Sequence, residues 1–318
     1  MAARHLSVVI AEIRRESPVV KRFTLAPTDD CPLPSFGGGS HITTYVHHRG
    51  QVLERQYSLI HDATGDGCYQ IAIRRSEHSR GGSVYWHDRV KVGDRLDISY
   101  PRNHFPLSFS AKHHLFFATG IGITPFISMM LDLQSTGKSF ELHYAAPSVE
   151  LCAFHSYLEQ RHPGRVHFYF SHEQNRMSPE IMSSQPIGTH VYFCGTGAMM
   201  KEYASAAARY GYPPTSIHRE LFAPVESGPM YAFQVKLKKS GRLLDVPEGK
   251  SLLDVLLNNG IEVAHACRVG GCGSCQVPVA DGEVDHRDWY LSDDERRGKK
   301  VIVACTSRAR HGPLVLDL

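Results

Sequence analysis

Four cysteines near the end of the chain carry the clearest chemical signal. Cys267, Cys272 and Cys275 follow a C-x4-C-x2-C spacing, and Cys305 comes thirty residues later. This is the plant-type pattern for holding a [2Fe–2S] cluster, in which four thiolates surround two irons. The chain must wrap tightly to do this, and Gly270, Gly271 and Gly273 supply the backbone freedom. Backbone N–H groups drawn close can hydrogen-bond to the sulfurs and help set the potential. A structural zinc site more often pairs two C-x2-C units, and only one is present. Of the other cysteines, Cys31, Cys68 and Cys152 read as buried small apolar residues. Cys194 stands apart because it ends an apolar strand beside a glycine.

Two further groups of residues point to nucleotide-like ligands. The run Arg55-Gln56-Tyr57-Ser58-Leu59 reads as a strand, and Arg80-Gly81-Gly82-Ser83 opens a short helix over 84–89. A glycine pair and a serine at a helix start offer free N–H groups to a phosphate. Arg55 can add a charge-assisted contact. Tyr57 can lie against a flat ring, and Ser58 can hydrogen-bond to it. The second group begins with the apolar strand Leu115-Phe116-Phe117-Ala118. It runs into Thr119-Gly120-Ile121-Gly122-Ile123-Thr124-Pro125, where Pro125 suits a first helical turn. Gly120 and Gly122 let a dinucleotide approach the backbone, although the third glycine of the usual fingerprint is missing. Val191-Tyr192-Phe193 ends likewise in Cys194-Gly195-Thr196-Gly197. Two such strand ends on one parallel sheet can bracket one ligand.

Three kinds of segment must position these residues. Residues 1–108 hold many short strand-like runs divided by turns such as Gly37-Gly38-Gly39, Gly65-Asp66-Gly67 and Val92-Gly93-Asp94, which predicts an antiparallel β-barrel. Residues 109–223 alternate strands with helices over 125–133, 150–160 and 198–209, which predicts a doubly wound parallel α/β sheet. Residues 224–229 form a Pro- and Gly-bearing linker. Residues 230–318 start with strands over 232–237 and 243–246. Ser251 caps a short helix that stops at Gly260, and Ser292 with Glu295 makes a capping box.

Composition excludes several classes. The 318 residues are 42% hydrophobic and 21% charged, so the chain is globular and longer than one typical domain. Its formal charge of +3 gives no nucleic-acid signature. No apolar run reaches the ~18 residues of a membrane span. The start of the chain has no signal-peptide core, so the expected location is cytoplasmic and the clustered cysteines belong to metal or redox chemistry. The 20 histidines are scattered, and no two-His, one-carboxylate set or Cys-x-His pair is identifiable among them. Oxygen chemistry is therefore expected on another protein.

Taken together the motifs resemble the reductase components of Rieske-type oxygenases, a family that includes phthalate dioxygenase reductase and vanillate O-demethylase reductase, with the latter type nearest. Pro101-Arg102-Asn103-His104-Phe105-Pro106-Leu107 and His218-Arg219-Glu220-Leu221-Phe222 add to the likeness, which spans essentially the whole chain. The resemblance implies an FMN-binding barrel, an NAD-binding domain and a C-terminal plant-type ferredoxin domain of α+β, β-grasp type. It implies a monomer that takes hydride from NADH and passes single electrons through [2Fe–2S] to a separate Rieske oxygenase serving an aromatic substrate. By this likeness Arg55, Arg80, Gly81, Gly82 and Ser83 hold the FMN phosphate, while Gln56, Tyr57 and Ser58 line the flavin ring. Gly120, Gly122, Ile123, Thr124, Cys194 and Gly195 bind the nucleotide, with Thr124 and Cys194 beside the nicotinamide. Glu220 and Phe222 lie near the flavin. Ser58, Thr124, Cys194, Glu220 and Phe222 form the expected catalytic set, and the four clustered cysteines the iron ligands. Pro147 stands where relatives often carry Arg, so a nucleotide contact expected there is missing. A stand-alone reductase for a quinone, ferric or other small acceptor would use the same groups. A non-catalytic zinc-bearing binding protein is the third reading.

Overall fold

The computed structural model describes residues 5–318 apart from Asp30, Arg49, 61–66, 78–80, 223–227 and Lys299. The expected turn at 65–66 and linker residues 224–227 lie outside the described residues. The chain divides into two compact units, Met1–Glu220 and Leu221–Leu318.

The first unit starts with β1 (Leu6–Ser17), β2 (Val20–Pro27), β3 (His41–His48), β4 (Gln51–Ser58) and β5 (Tyr69–Arg74). Helix α1 (Gly82–Asp88) and β6 (Arg95–Ile98) follow. Six antiparallel strands lie in the order β4-β3-β6-β1-β2-β5. Leu59, just past β4, bridges to Ile71 in β5, so the two outer strands meet and the sheet closes into a barrel. Closure removes the exposed edges that would otherwise invite pairing. Inward positions such as Val8, Ile10, Phe23, Leu25 and Ile71 alternate with outward ones, and Trp86 of α1 seals the end of this core.

The same unit continues with β7 (His113–Thr119), α2 (Thr124–Ser135), β8 (Ser139–Ala146), α3 (His155–Arg161), β9 (Val166–Phe170), β10 (Thr189–Cys194), α4 (Gly197–Arg209) and β11 (Ile217–Glu220). All five strands are parallel in the order β11-β10-β7-β8-β9. The order reverses between β7 and β10, which is where a doubly wound sheet opens a ligand crevice at its carboxyl ends. The predicted helix over 150–160 begins only at His155. Phe154 takes a left-handed φ of 63°, and Cys152, Ala153 and Phe154 turn inward to fill the core instead of continuing a helix.

The second unit contains β12 (Phe233–Leu237), β13 (Leu243–Val246), α5 (Leu252–Asn258), β14 (Gln276–Asp281), β15 (Val284–Asp285), α6 (Asp293–Gly298), β16 (Val301–Val303), β17 (Arg308–Ala309) and β18 (Leu314–Leu316). Its mixed sheet has the order β13-β12-β18-β14-β16. Leu252, Leu253 and Leu256 of α5 join Val235, Val277 and Leu316 in one apolar core, the arrangement of a β-grasp ferredoxin domain. Both predicted caps form. Ser251 Oγ accepts from Asp254 N–H at 3.1 Å, and Ser292 exchanges hydrogen bonds with Glu295. No helix among the described residues is long and apolar enough to cross a membrane.

Candidate functional site: a cysteine loop and a crevice at the sheet switch point

The loop between α5 and β14 carries Cys267, Cys272 and Cys275, and Cys305 follows β16. None of the four is in a disulfide; of the dispersed cysteines, Cys152 is buried as expected, Cys68 is half-buried, and Cys31 is exposed because it lies in the loop after β2. Cys267 is within hydrogen-bond reach of Cys272 and Cys305, and those two neighbours hold its thiol well below the ordinary range. Cys305 also contacts Cys275. Val269 N–H donates to Cys267 Sγ at 3.4 Å, and Cys267 N–H donates to Cys272 Sγ at 3.5 Å. Convergent sulfurs with amides already aimed at them fit an iron–sulfur cluster held by four thiolates, whose sulfurs need such donors. Ala304 N–H donates to Cys275 O at 3.0 Å and so ties the fourth ligand to the loop.

A neighbouring segment braces this loop. Gly273 has φ +69°, and a Cβ there would come within 2.4 Å of the Tyr290 ring, so only glycine fits. Trp289 N–H donates to Gly270 O at 2.9 Å. Buried Asp288 accepts from Leu291 N–H at 2.8 Å and from the Ser307 hydroxyl at 3.2 Å. Burial pushes its carboxyl up, but hydrogen bonds from His286 and Leu291 bring it below the usual carboxylate range. Sequence spacing gave no sign of this brace.

The crevice of the first unit is assembled from distant residues. Cys194 ends β10 opposite Ala118 of β7 on one side and Glu220 of β11 on the other. A Cβ on Gly122 would come within 2.2 Å of Cys194 O, so the two glycine-bearing strand ends touch because Gly122 has no side chain. Thr196 N–H donates to Thr119 Oγ1 at 2.9 Å and locks the same junction. Buried Thr124 donates to Ile121 O at 3.0 Å and shapes the turn through Gly120–Ile123. Burial, and then the nearby Glu220 carboxylate, push the Cys194 thiol far up. It is a neutral thiol here and no ready nucleophile.

Strand β4 reaches this crevice from the barrel. Ser58 Oγ donates to Glu220 Oε2 at 3.5 Å. Ser58, Cys194 and Glu220 therefore lie in one neighbourhood. Tyr57 packs edge-on to Trp86 at 5.8 Å, and burial pushes its phenol up. Gln56 lies beside it on β4. The Arg55 side chain crosses Gly82, where a Cβ would meet Nε at 2.6 Å. Guanidinium and helix start thus form one basic cradle, with Gly81 in a left-handed turn at the cap. This cradle fits a phosphate. Ser83 Oγ accepts from Ser76 N–H at 3.2 Å, which ties the cradle to the end of β5. Arg80 lies outside the described residues. Phe222 belongs to the second unit and is 42% exposed there.

Sequence reasoning missed the residues that fasten the barrel to the parallel sheet. Gly38 N–H donates to Asp132 Oδ2 at 2.6 Å and Gly39 N–H to Ser128 Oγ at 3.2 Å, while Asn103 Nδ2 donates to Gly38 O at 2.9 Å within the barrel segment and steadies the same turn. The glycine run at 37–39 read as a plain turn. Its amides are in fact held by α2, the helix that opens at the nucleotide turn.

Residues 235–310 match the family model of a 2Fe-2S iron-sulfur cluster binding domain. Over 98% of both chains the protein is 42% identical to the carnitine monooxygenase reductase subunit of Escherichia coli (strain K12). The chain belongs to the reductase components of multicomponent oxygenases. It is also 35% identical to the vanillate O-demethylase oxidoreductase of Pseudomonas sp. (strain HR199 / DSM 7063), over 98% of this chain and 100% of the other. The solved structure of phthalate dioxygenase reductase, described as modular for electron transfer from pyridine nucleotides to [2Fe–2S], superposes with a TM-score of 0.79. It is 33% identical and covers 99% of this chain and 98% of that one. This reductase is therefore an oxidoreductase that carries a [2Fe–2S] domain and serves an oxygenase component. The zinc-bearing, non-catalytic reading is set aside.

Proposed function

We propose that the protein takes hydride from NADH onto FMN in the first unit and delivers electrons one at a time to a Rieske-type oxygenase. The observation that carries this reading is the meeting of Ser58, Cys194 and Glu220 where the sheet order reverses. One wall of that crevice comes from the barrel and the other from the parallel sheet. The functional division follows as 1–108 for the flavin, 109–223 for the nucleotide, 224–229 as linker and 230–318 for the cluster.

When bound, the flavin supplies the conversion between a two-electron donor and the one-electron cluster. The residues of the chain supply position. Arg55 with Gly81, Gly82 and Ser83 holds the flavin phosphate, and Tyr57 and Gln56 line the ring beside Ser58. Gly120, Gly122, Ile123 and Gly195 leave room for the dinucleotide backbone. Thr124 and the neutral Cys194 shape the nicotinamide end without adding charge. The Glu220 carboxylate accepts a hydrogen bond from the Ser58 hydroxyl and so orients it. Phe222 stands at the entry to the second unit and, in this reading, near the flavin. Cys267, Cys272, Cys275 and Cys305 hold the irons. Asp293 and Asp294 at the start of α6 are exposed, each beside an arginine of the same helix, and in this reading their edge of the helix meets a basic partner.

The choice of NADH over NADPH rests on the family resemblance and on one feature of the strand end after β8, which also lacks an acidic residue for a ribose 2′-hydroxyl. No basic pair stands there to clamp a 2′-phosphate. In this reading the protein works in the cytoplasm as a monomer, beside an oxygenase of the aromatic O-demethylase or dioxygenase type. The test is extraction of flavin from the purified holoprotein with kcat/KM for both nucleotides. One FMN per chain and a clear preference for NADH are expected. FAD, or a preference for NADPH, contradicts the reading. An oxygenase partner with haem in place of a Rieske centre contradicts its last step.

A further inference from the structure

One cluster of side chains on the parallel sheet takes no part in the chemistry above. Glu141 and His143 stand two residues apart on β8 and so project from the same face. His167 on β9 is directly across from His143 in parallel register. Glu141 Oε1 lies 3.0 Å from His143 Nε2 and 2.9 Å from His167 Nε2. One donor atom from each residue falls within 4.8 Å of the others. No two-His, one-carboxylate set was visible in the sequence, because a complete helix separates the third member from the first two.

We propose that Glu141, His143 and His167 form a binding site for a divalent transition metal of the zinc class. The donor set is two imidazoles and one carboxylate, a combination that suits zinc and its neighbours and leaves a coordination position open.

The surroundings of His143 favour this over a simple ion pair. Its side chain is only 4% exposed. Phe117 stacks with it at 5.2 Å, and His167 stacks with it at 4.9 Å. Its Nδ1 lies 2.8 Å from the Tyr169 hydroxyl. Its Nε2 is buried and makes no hydrogen bond of adequate geometry, although it faces the carboxylate. A buried polar atom so poorly matched is unfavourable. An ion in the gap satisfies it. With the proton on Nδ1 donated to Tyr169, the Nε2 lone pair faces that gap. A ring nitrogen on the metal with its other nitrogen held by an outer partner is the usual state of a ligating histidine.

The spacing is workable. Bonds of about 2.0–2.1 Å in a tetrahedron place ligand atoms roughly 3.3 Å apart, so the two carboxylate–imidazole pairs need to open by only a few tenths, and the two imidazole nitrogens already lie within 4.8 Å of each other. The two rings are nearly parallel, at 15°. His167 must therefore swing for its lone pair to meet the ion, and its side chain, 44% exposed, has the room. The bound ion would join β9, at one end of the sheet order, to β8. Because the unfolded chain lacks the site, binding would raise the melting temperature.

The experiment is zinc titration of the metal-stripped but cluster-loaded holoprotein by calorimetry, with the iron–sulfur absorbance followed to show that iron stays in place. One Zn2+ per chain at this site is expected, with a rise in melting temperature that EDTA reverses. Zinc K-edge absorption should show nitrogen and oxygen neighbours and no sulfur. His143 lies inside the sheet packing, so the deciding variants are Glu141→Gln and His167→Ala. Each should weaken binding by more than about a hundredfold, while Tyr169→Phe should weaken it by about tenfold. The proposal is overturned by no stoichiometric uptake, by uptake unchanged in both ligand variants, or by sulfur around the zinc.

Discussion

The cysteine loop and the switch-point crevice are built in opposite ways. In the loop, three of the four sulfurs come from residues 267–275, and the backbone between them supplies the amides that face those sulfurs. In the crevice, Ser58, Gly122, Cys194 and Glu220 come from separate elements, and the Ser58–Glu220 hydrogen bond joins residues 162 apart in the chain. A local site depends on spacing and fails as a whole when one ligand is lost. A distributed site depends on the fold and loses function by degrees.

Removing one sulfur should give the largest effect. Cys272→Ala should abolish the reduced-cluster EPR signal and electron delivery to the oxygenase, while NADH–ferricyanide activity persists because flavin can reduce a small acceptor directly. Continued electron flow to the oxygenase in that variant would break the relay. In the crevice, Arg55→Ala should cost about 1.5–3 kcal/mol for a charged hydrogen bond. Flavin retention, measured by equilibrium dialysis, should fall about tenfold to a hundredfold, with the cluster signal intact. Unchanged flavin affinity would remove Arg55 from the phosphate cradle. Ser58→Ala should slow flavin reduction by NADH in stopped flow by about tenfold or less, the worth of one hydrogen bond, again with the cluster intact.

A pH experiment sharpens the same contrast. His218 of β11 stacks on Tyr192 at 4.3 Å, and burial, followed by the nearby His190 and His114, lowers its pKa to about 4. The unfolded chain, with a histidine pKa of about 6.5, therefore takes up this proton first as pH falls. The contribution is whole above about 6.5 and declines as the pH drops toward 4. Urea midpoints for the first unit should fall between pH 7 and pH 5, and His218→Phe should flatten that fall. An identical fall in the variant would place the effect elsewhere. The smallest effect is expected at α6. Charge reversal at Asp293 and Asp294 should slow oxygenase-coupled turnover a few-fold, mostly at low salt, and leave NADH–dye activity unchanged. Equal loss of both activities would remove α6 from the docking face.

This contrast also explains what could be read from the chain. The cluster ligands were legible because four cysteines at this fixed spacing have few other uses. The barrel and the parallel sheet were legible because turn residues and the βαβ rhythm mark them. The residues around Cys194 were recognisable in type, but their meeting depends on strand order, which no local pattern states. The late start of α3 was hidden because Cys152, Ala153 and Phe154 look helical and yet are drawn into the core. The Asp288 brace and the Asp132 and Ser128 contacts to 38–39 were hidden as well. The partners that matter most, Ser307 for Asp288, Gly270 for Trp289 and α2 for 38–39, are distant in sequence, and no local pattern marks them.

The most direct test of the account is an anaerobic NADH titration of the purified protein, followed by absorbance and EPR with flavin and iron quantified on the same sample. The account predicts that NADH bleaches the flavin and that a rhombic reduced [2Fe–2S] signal grows in as the titration proceeds. A flavin that bleaches while the cluster stays oxidised, or NADH that changes neither centre, would contradict it.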